Sequence, residues 1–524
     1  MFSSILSAVI MGVEALPIQV EADVSDGLPM FIMVGHVSSQ VKEAQDRVRT
    51  ALRNSGIALP PKRITINLAP GDVRKDGSGF DLPVATSILM AAEKIPASCM
   101  KKTMVVGELG LDGRLRGVAG VLPIAMKAKE LGCNTCIVPR DNYHEGSVVE
   151  GITIIPINSI EELVAYCNNS EIPKPPPSPL AITPDAFGMD FADVYGQEGV
   201  KRAAVIAAAG FHNMLMIGPP GSGKTMIAKR IPSILPDLTR EEALEVTKIY
   251  SVAGLLPPNT ALLGERPFRS PHHSISMQAL IGGGRIPRPG EVSLAHRSVL
   301  FMDELSEMPK RELEALRQPL EDKEVTISRV YGSVSFPASF ILVAAMNPCA
   351  CGHYPDLNKC TCSATSLARY ASGLSRPLLD RLDICVEVPA VSYEDIAGKE
   401  KSKGENGKSN KKGKSKEKGL SSDKMREMVI SAHAIQEERY RGTPITFNAE
   451  LTSSLIEKYC CIEDEGQRLL ELVFRKMDLS TRGYHRIIKT ARTIADLEGS
   501  VNINEEHISE AICYRNPDKD FWRM

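Results

Sequence analysis

Gly218-Pro219-Pro220-Gly221-Ser222-Gly223-Lys224-Thr225 satisfies G-x-x-x-x-G-K-[ST] at every position, after the apolar run Met214–Ile217 and before a helical stretch over 226–231. Strand, glycine-rich loop and helix in that order are the context the pattern needs. The glycines let successive backbone N–H groups curl round a phosphate. Lys224 is then placed to reach the β- and γ-phosphates of a nucleotide, and the Thr225 hydroxyl to ligate Mg²⁺. Gly218, Pro219, Pro220, Gly221, Ser222, Gly223, Lys224 and Thr225 are therefore the expected ATP-binding residues.

Working outward, Val299-Leu300-Phe301-Met302-Asp303-Glu304 reads as a buried strand ending in two carboxylates. Asp303 suits the Mg²⁺ shell, and Glu304 suits polarisation of an attacking water. That pair, placed downstream of a complete phosphate loop, points to ATP hydrolysis and not to nucleotide binding alone. A further apolar run over 340–346 ends at Asn347, whose amide can hydrogen-bond the γ-phosphate or the lytic water. Three such runs separated by helical stretches predict a parallel sheet with crossover helices, an α/β fold.

On these residues the chain resembles the AAA+ ATPases, which carry a polar sensor at the strand end that Asn347 occupies. Ser375-Arg376-Pro377-Leu378-Leu379-Asp380-Arg381-Leu382-Asp383 resembles the arginine-finger segment of the branch holding MCM helicases and magnesium chelatases. That resemblance implies that Arg381 reaches a neighbouring subunit's γ-phosphate. Leu479-Ser480-Thr481-Arg482-Gly483-Tyr484-His485-Arg486 looks like the branch's second sensor, with Arg482 matched to the arginine that contacts ATP and Arg486 as runner-up. Glu324 to Phe336 reads as a hairpin with Arg329 and Tyr331 near its tip, similar to the presensor hairpin that grips DNA in MCM-type rings.

Longer strings narrow the resemblance. Tyr195-Gly196-Gln197-Glu198, Arg269-Ser270-Pro271-His272-His273-Ser274, Arg288-Pro289-Gly290-Glu291, Asp303-Glu304-Leu305 and Asn347-Pro348-Cys349 resemble the ComM/YifB family of magnesium-chelatase-like AAA+ ATPases. The resemblance implies a Mg²⁺-dependent ATPase that assembles as a homo-oligomeric ring, expected to be a hexamer. It also implies action on single-stranded or branched DNA, as a branch-migration helicase or translocase in recombination or natural transformation. A chelatase-like subunit driving metal insertion and an ATPase remodelling proteins are the alternative readings.

Before residue 173, β-branched runs alternate with helical patterns and predict a mixed α/β domain. Lys75-Asp76-Gly77-Ser78-Gly79-Phe80-Asp81-Leu82-Pro83 and Gly107-Glu108 resemble the Lon-protease-type fold. Lon needs a serine nucleophile and an activating lysine, but the match puts Gly79 and Leu122 at those positions, so no protease activity is expected. Ser78 and Lys127 are the nearest displaced pair. The apolar start of the chain lacks a basic region and meets Glu14 early, so it reads as a buried strand and not as a signal peptide.

The 524 residues allow several folding units: a Lon-type α/β domain over 1–172, a proline-rich linker over 173–184, an AAA+ core over 185–397, a disordered insertion over 398–422 and a helical lid over 423–524. The insertion carries nine lysines against three glutamates between Lys399 and Lys418, although the whole chain has a net charge of only −2. Apolar residues at 43% and charged residues at 24% exclude collagenous and wholly disordered classes, and no apolar run has the ~20 residues of a membrane-spanning helix. Twelve cysteines fit a reducing, cytoplasmic setting better than a disulfide framework. Among them Cys349, Cys351, Cys360 and Cys362 form C-x-C-x8-C-x-C, a donor set able to close a tetrahedral zinc site. The cofactors expected are ATP, Mg²⁺ and a structural Zn²⁺.

Overall fold

Alternating apolar residues in the first strands build a sheet with both faces covered. In the computed structural model, which describes residues 1–36, 38–169, 171–177, 189–329, 332–390, 420–477 and 479–515, seven N-terminal strands pair. They are β1 (Phe2–Met11), β2 (Glu14–Ser25), β3 (Met30–Val34), β4 (Arg63–Ala69), β5 (Thr103–Val105), β6 (Thr135–Pro139) and β7 (Thr153–Ile157), in the order β3-β4-β2-β1-β5-β6-β7. The β1/β2 and β2/β4 pairs are antiparallel and the remaining pairs parallel. The expected N-terminal strand is β1, near the middle of the sheet. It is half-buried: Ser3, Ile5 and Ser7 point inward while Phe2 and Ser4 stay exposed. Helices α1 (Ser39–Asn54) and α2 (Asp81–Ala91) pack their apolar residues on one face, and α3 (Val121–Glu130) covers the other.

A second sheet holds β8 (Met214–Ile217), β9 (Phe268–Arg269), β10 (Val299–Met302), β13 (Ile341–Met346) and β14 (Ile384–Glu387). All are parallel, in the order β9-β10-β13-β8-β14, an arrangement consistent with the AAA+ architecture. Between β10 and β13 the chain makes a separate antiparallel hairpin of β11 (Glu324–Arg329) and β12 (Gly332–Pro337). The strand runs expected from sequence are the three central strands β10, β13 and β8. Gly218, Asp303 and Asn347 follow the carboxyl ends of β8, β10 and β13, so one sheet edge gathers the residues that open α/β sheets use for ligands.

The C-terminal residues are helical: α8 (Ser422–Tyr440), α9 (Asp464–Met477), α10 (Thr481–Leu497) and α11 (Glu505–Cys513). They do not form a core of their own. The apolar cluster that begins at Phe191 runs through α4 (Glu198–Gly210) and β8 into Met425, Val429, Phe447, Ile487, Ile488 and Ile494, and Phe211 stacks on Phe447 at 4.6 Å. Polar contacts follow the same seam, with Gln436 donating to the Ala209 carbonyl at 2.8 Å and His212 meeting the Thr493 hydroxyl at 2.8 Å. Behind them Asp496, fully buried, accepts from Arg439, Arg492 and Asn448, so its charge is paired where water cannot reach it.

The N-terminal sheet docks on α6 (Arg240–Ala253) of the second unit through α3. Glu145 is the buried pin of that contact. One carboxylate oxygen accepts from the Leu122 N–H at 2.9 Å and from the Ser251 hydroxyl on α6, and the other accepts from Asn142 at 3.0 Å. Burial raises the Glu145 pKa above its ordinary value, and these donors only partly offset the rise. Lys248 with Glu14 at 3.0 Å ties the rim. Among the described residues no helix is long and apolar enough to cross a membrane.

Candidate nucleotide site

β8 is buried along its whole length between β13 and β14, which fixes where the loop after it starts. At Gly218 any Cβ would lie 2.2 Å from the Val388 carbonyl oxygen, so only glycine lets the chain leave the sheet there. Gly221 and Gly223 have φ of +76° and +90°, the left-handed turns that bring the loop round into α5 (Lys224–Ala228). Lys224 is almost fully buried inside the turn. Its ammonium donates to the Gly218 carbonyl at 2.7 Å, the Pro219 carbonyl at 2.9 Å and Asn347 Oδ1 at 3.2 Å. Burial lowers its pKa and the nearby Asp303 charge acts against that.

The two carboxylates take different places. Asp303 Oδ2 accepts from the Thr225 hydroxyl at 2.7 Å, and Oδ1 accepts from the Glu304 N–H at 2.9 Å. Glu304 has φ +51°, an uncommon backbone state for a side chain with a Cβ, and its carboxylate takes a partner on another loop. There it meets His273 Nδ1 at 2.9 Å, while His273 lies against the His272 ring at 4.0 Å between centroids. The sequence offered this histidine pair only as part of the string 269–274, with no partner assigned. Its contact with Glu304 is made across a long chain separation, which no local pattern encodes. The loop that carries it follows β9, whose Arg269 is held by Glu291 through two bonds of 2.6 and 2.7 Å.

Asn347 is fixed from both ends. Its side chain meets Lys224, and its carbonyl accepts from the Tyr370 hydroxyl at 3.0 Å. Tyr370 lies on α7 (Ala364–Ala371), and its oxygen also meets the Ser306 hydroxyl at 2.6 Å, just past Glu304. The single Tyr370 proton goes to Asn347, so Ser306 is the donor in that second bond. The link joins the strand end bearing Asn347 to the turn bearing Glu304.

Arg381 and Arg482 lie elsewhere. The Arg381 carbonyl accepts from Asn213 at 3.0 Å, and Asn213 precedes β8. Four residues of strand, at ~3.3 Å each, separate that edge from the phosphate loop of the same chain. Arg381 is 5% exposed, and its guanidinium is held by the Glu321 carboxylate and the Pro377 carbonyl. Arg482, largely exposed, stands 3.8 Å from the same Glu321, whereas Arg486 is turned inward on Asp383 at 3.5 Å. Arg381, Glu321, Asp383 and Arg486 border a cavity of about 590 Å³ that Lys323 and Lys489 also line.

Comparison with known proteins follows this geometry. The family model of magnesium chelatase subunit ChlI matches residues 190–396, that of subunit ChlI of Mg-chelatase matches 20–142, and that of the ChlI C-terminal region matches 419–515. The chain is 42% identical over 511 residues to the competence protein ComM of Haemophilus influenzae, covering 96% of each. It is 42% identical over 510 residues to the uncharacterized protein YifB of Escherichia coli, covering 97% of this chain and 96% of that one. The chain belongs to the ComM/YifB family of magnesium-chelatase-like AAA+ ATPases.

Membership in the ComM/YifB family implies ATP and Mg²⁺, and the residues present fit both. Thr225 and Asp303 offer two hard oxygen donors 2.7 Å apart, the kind Mg²⁺ takes together with nucleotide phosphates, and Lys224 stands in the adjoining turn. The N-terminal residues also match Lon protease 2 of Bacillus subtilis at 30% identity over 127 residues, which is 24% of this chain and 22% of that protein. At the positions where the sequence resemblance places the Lon dyad, Leu122 is fully buried and Gly79 has no side chain to act as a nucleophile. Ser78 donates to Glu108, and Lys127 pairs with Glu130 at 2.5 Å, so each member of the displaced pair has another partner.

Two further features were partly legible. The expected hairpin is β11/β12, with Arg329 opposite Gly332 beside the tip; Tyr331 lies outside the described residues, as does the Lys-rich run over 399–418. Arg329 is exposed and donates toward the Gly284 carbonyl at 3.4 Å. Gly284 belongs to a second small hairpin, Gly282–Gly283 paired with Arg288–Pro289, that presents Arg285 and Arg288 to solvent beside it. The sequence singled out neither as a contact residue. Cys349, Cys351, Cys360 and Cys362 do converge: their sulfurs all lie within 4.8 Å of one another, a group that could hold a structural metal ion.

Proposed function

We propose that the protein is a ring-forming AAA+ motor acting on single-stranded or branched DNA, as a helicase or translocase in branch migration. In hydrolysis, Lys224 binds the β- and γ-phosphates, Asn347 orients the attacking water and Glu304 takes its proton. Mg²⁺, held at Thr225 and Asp303, would neutralise charge building on the phosphates. Arg381 of one subunit stabilises that charge in the next, with Arg482 as a second contact. Arg381 lies at the sheet edge remote from its own phosphate loop, with Arg482 near the same Glu321, which favours action on a neighbour. The Lon-type N-terminal region serves as a scaffold without protease activity, since neither Gly79 nor Leu122 can do the chemistry. The four clustered thiols form a structural zinc site.

The observation that carries the DNA reading is the pair of adjoining hairpins. Arg329, Arg285 and Arg288 project from neighbouring turns, suited to backbone phosphates of a strand passing across them. ATP hydrolysis measured with single-stranded, duplex and four-way-junction DNA is expected to rise several-fold with at least one of them, and the rise should fade steeply with salt. Equal rates in every arm would remove DNA as the substrate and return metal insertion or protein remodelling to the front.

Glu304→Gln is expected to keep ATP bound while lowering turnover about 10²-fold or more, because the amide keeps the shape but accepts no proton. Single-turnover hydrolysis alongside equilibrium binding checks this. Near-normal hydrolysis would take Glu304 out of the reaction.

A further inference from the structure

The four cysteines sit on an excursion that leaves the nucleotide site at Asn347 and returns to it through Tyr370. Asn347 closes β13, Cys349 follows two residues later, and the loop runs through Cys351, Cys360 and Cys362 to Ser363. Ser363 caps α7 by accepting from the Ser366 N–H at 3.2 Å, and α7 carries Tyr370 back to the Asn347 carbonyl and to Ser306. The loop also touches the phosphate turn directly. At Gly352, with φ +81°, a Cβ would stand 2.5 Å from Pro220 Cδ, so the loop packs on the turn as closely as a glycine allows.

The sulfur geometry is that of a metal site. Cys349 Sγ lies 3.3 Å from Cys351 Sγ and 3.9 Å from Cys360 Sγ, and Cys351 lies 3.6 Å from Cys360. A tetrahedral zinc with Zn–S bonds near 2.3 Å sets its ligand sulfurs about 3.8 Å apart. All four cysteines are free, and a disulfide would need about 2.05 Å. The outer shell is present as well: the Tyr354 N–H donates to Cys349 Sγ at 3.4 Å, and the His353 and Thr361 N–H groups face Cys351.

We propose that this tetrathiolate cluster is a metal-dependent brace on the nucleotide site. With zinc bound, the loop fixes the start of α7, the Tyr370 link between Asn347 and the Glu304 turn, and the Gly352 contact on Pro220. Loss of the ion therefore lowers ATP turnover while ATP still binds, because Lys224 and the phosphate turn are anchored separately by β8. The brace rests on the zinc reading of the four thiols, and the two fail in different ways.

The test uses the full chain purified under reducing conditions. Elemental analysis is expected to find about one zinc per chain, lost in Cys360→Ser/Cys362→Ser. That variant should hydrolyse ATP about tenfold more slowly and bind a fluorescent ATP analogue within about threefold of the parent. A parent protein that carries no zinc and takes up none when zinc is added would overturn the zinc reading and the brace together. A metal-free double variant that hydrolyses at the parental rate would leave the zinc site standing and end the brace. Should the double variant lose nucleotide binding as well, Tyr370→Phe decides: all four thiols remain, so zinc should be retained while turnover drops several-fold, and unchanged turnover would end the proposal.

Discussion

Arg381→Ala is expected to lower ATP turnover by about 10³-fold or more with ATP affinity almost unchanged, the size of effect that an arginine supplied to a transferring phosphoryl group has. The binding half of the site, Lys224, Thr225, Asp303 and Asn347, is left intact by the substitution. Within its own chain the guanidinium is buried on Glu321, so engagement with a neighbour requires Arg381 to exchange that carboxylate for phosphate oxygens. Mixing Arg381→Ala with Lys224→Ala chains should then restore part of the hydrolysis, because some interfaces join an intact phosphate turn to an intact arginine. Mixed assemblies that stay inactive although co-assembly is shown, or normal turnover by Arg381→Ala alone, would sink the assignment.

Lys224→Ala is expected to weaken ATP binding by about 10²-fold or more. The ammonium makes three bonds inside the turn, to Gly218, Pro219 and Asn347, and its donors are the ones available to the β- and γ-phosphates. Charge-assisted bonds contribute roughly 1.5–3 kcal/mol each, and two of them to phosphate span two to four decades of affinity. The turn loses the lysine's bonds to Gly218 and Pro219, but glycines 218, 221 and 223 still set its path. Calorimetric titration with ATP and Mg²⁺ is the measurement. Affinity within a few-fold of the parent would show that the nucleotide is held somewhere else.

What the sequence made legible was local. A buried strand, a glycine-dictated turn and a helix start follow one another over 214–228, and Asp303 and Asn347 each close an apolar run that reads as a buried strand. The hairpin around Arg329 was readable for the same reason, as alternation broken by a glycine. The clustering of the four thiols was readable from spacing alone, with no hint that the loop leans on Pro220. What was not legible depends on chain segments that meet only after folding: His273 on Glu304, Tyr370 spanning Asn347 and Ser306, Arg285 beside Arg329, and Glu145 reaching Ser251 on the other sheet's helix. Arg381 was assigned by resemblance, and its burial on Glu321 follows from packing between 317–322 and the segment before β14, for which the sequence carries no periodic signal.

The apolar seam between the nucleotide-binding sheet and the C-terminal helices restricts how such a machine can do work. Prising α8 and α10 off α4 would expose Val429, Phe447, Ile487, Ile488 and Ile494, each contributing roughly 1.5–3 kcal/mol when buried. The total is on the order of 10 kcal/mol, as large as the stability of a whole domain. Each chain is in this sense a rigid lever, not a clamp with jaws. In the ring proposed above, displacement during a catalytic cycle would then pass between subunits and not within one, with the arginine side of one block moving over the phosphate turn of the next.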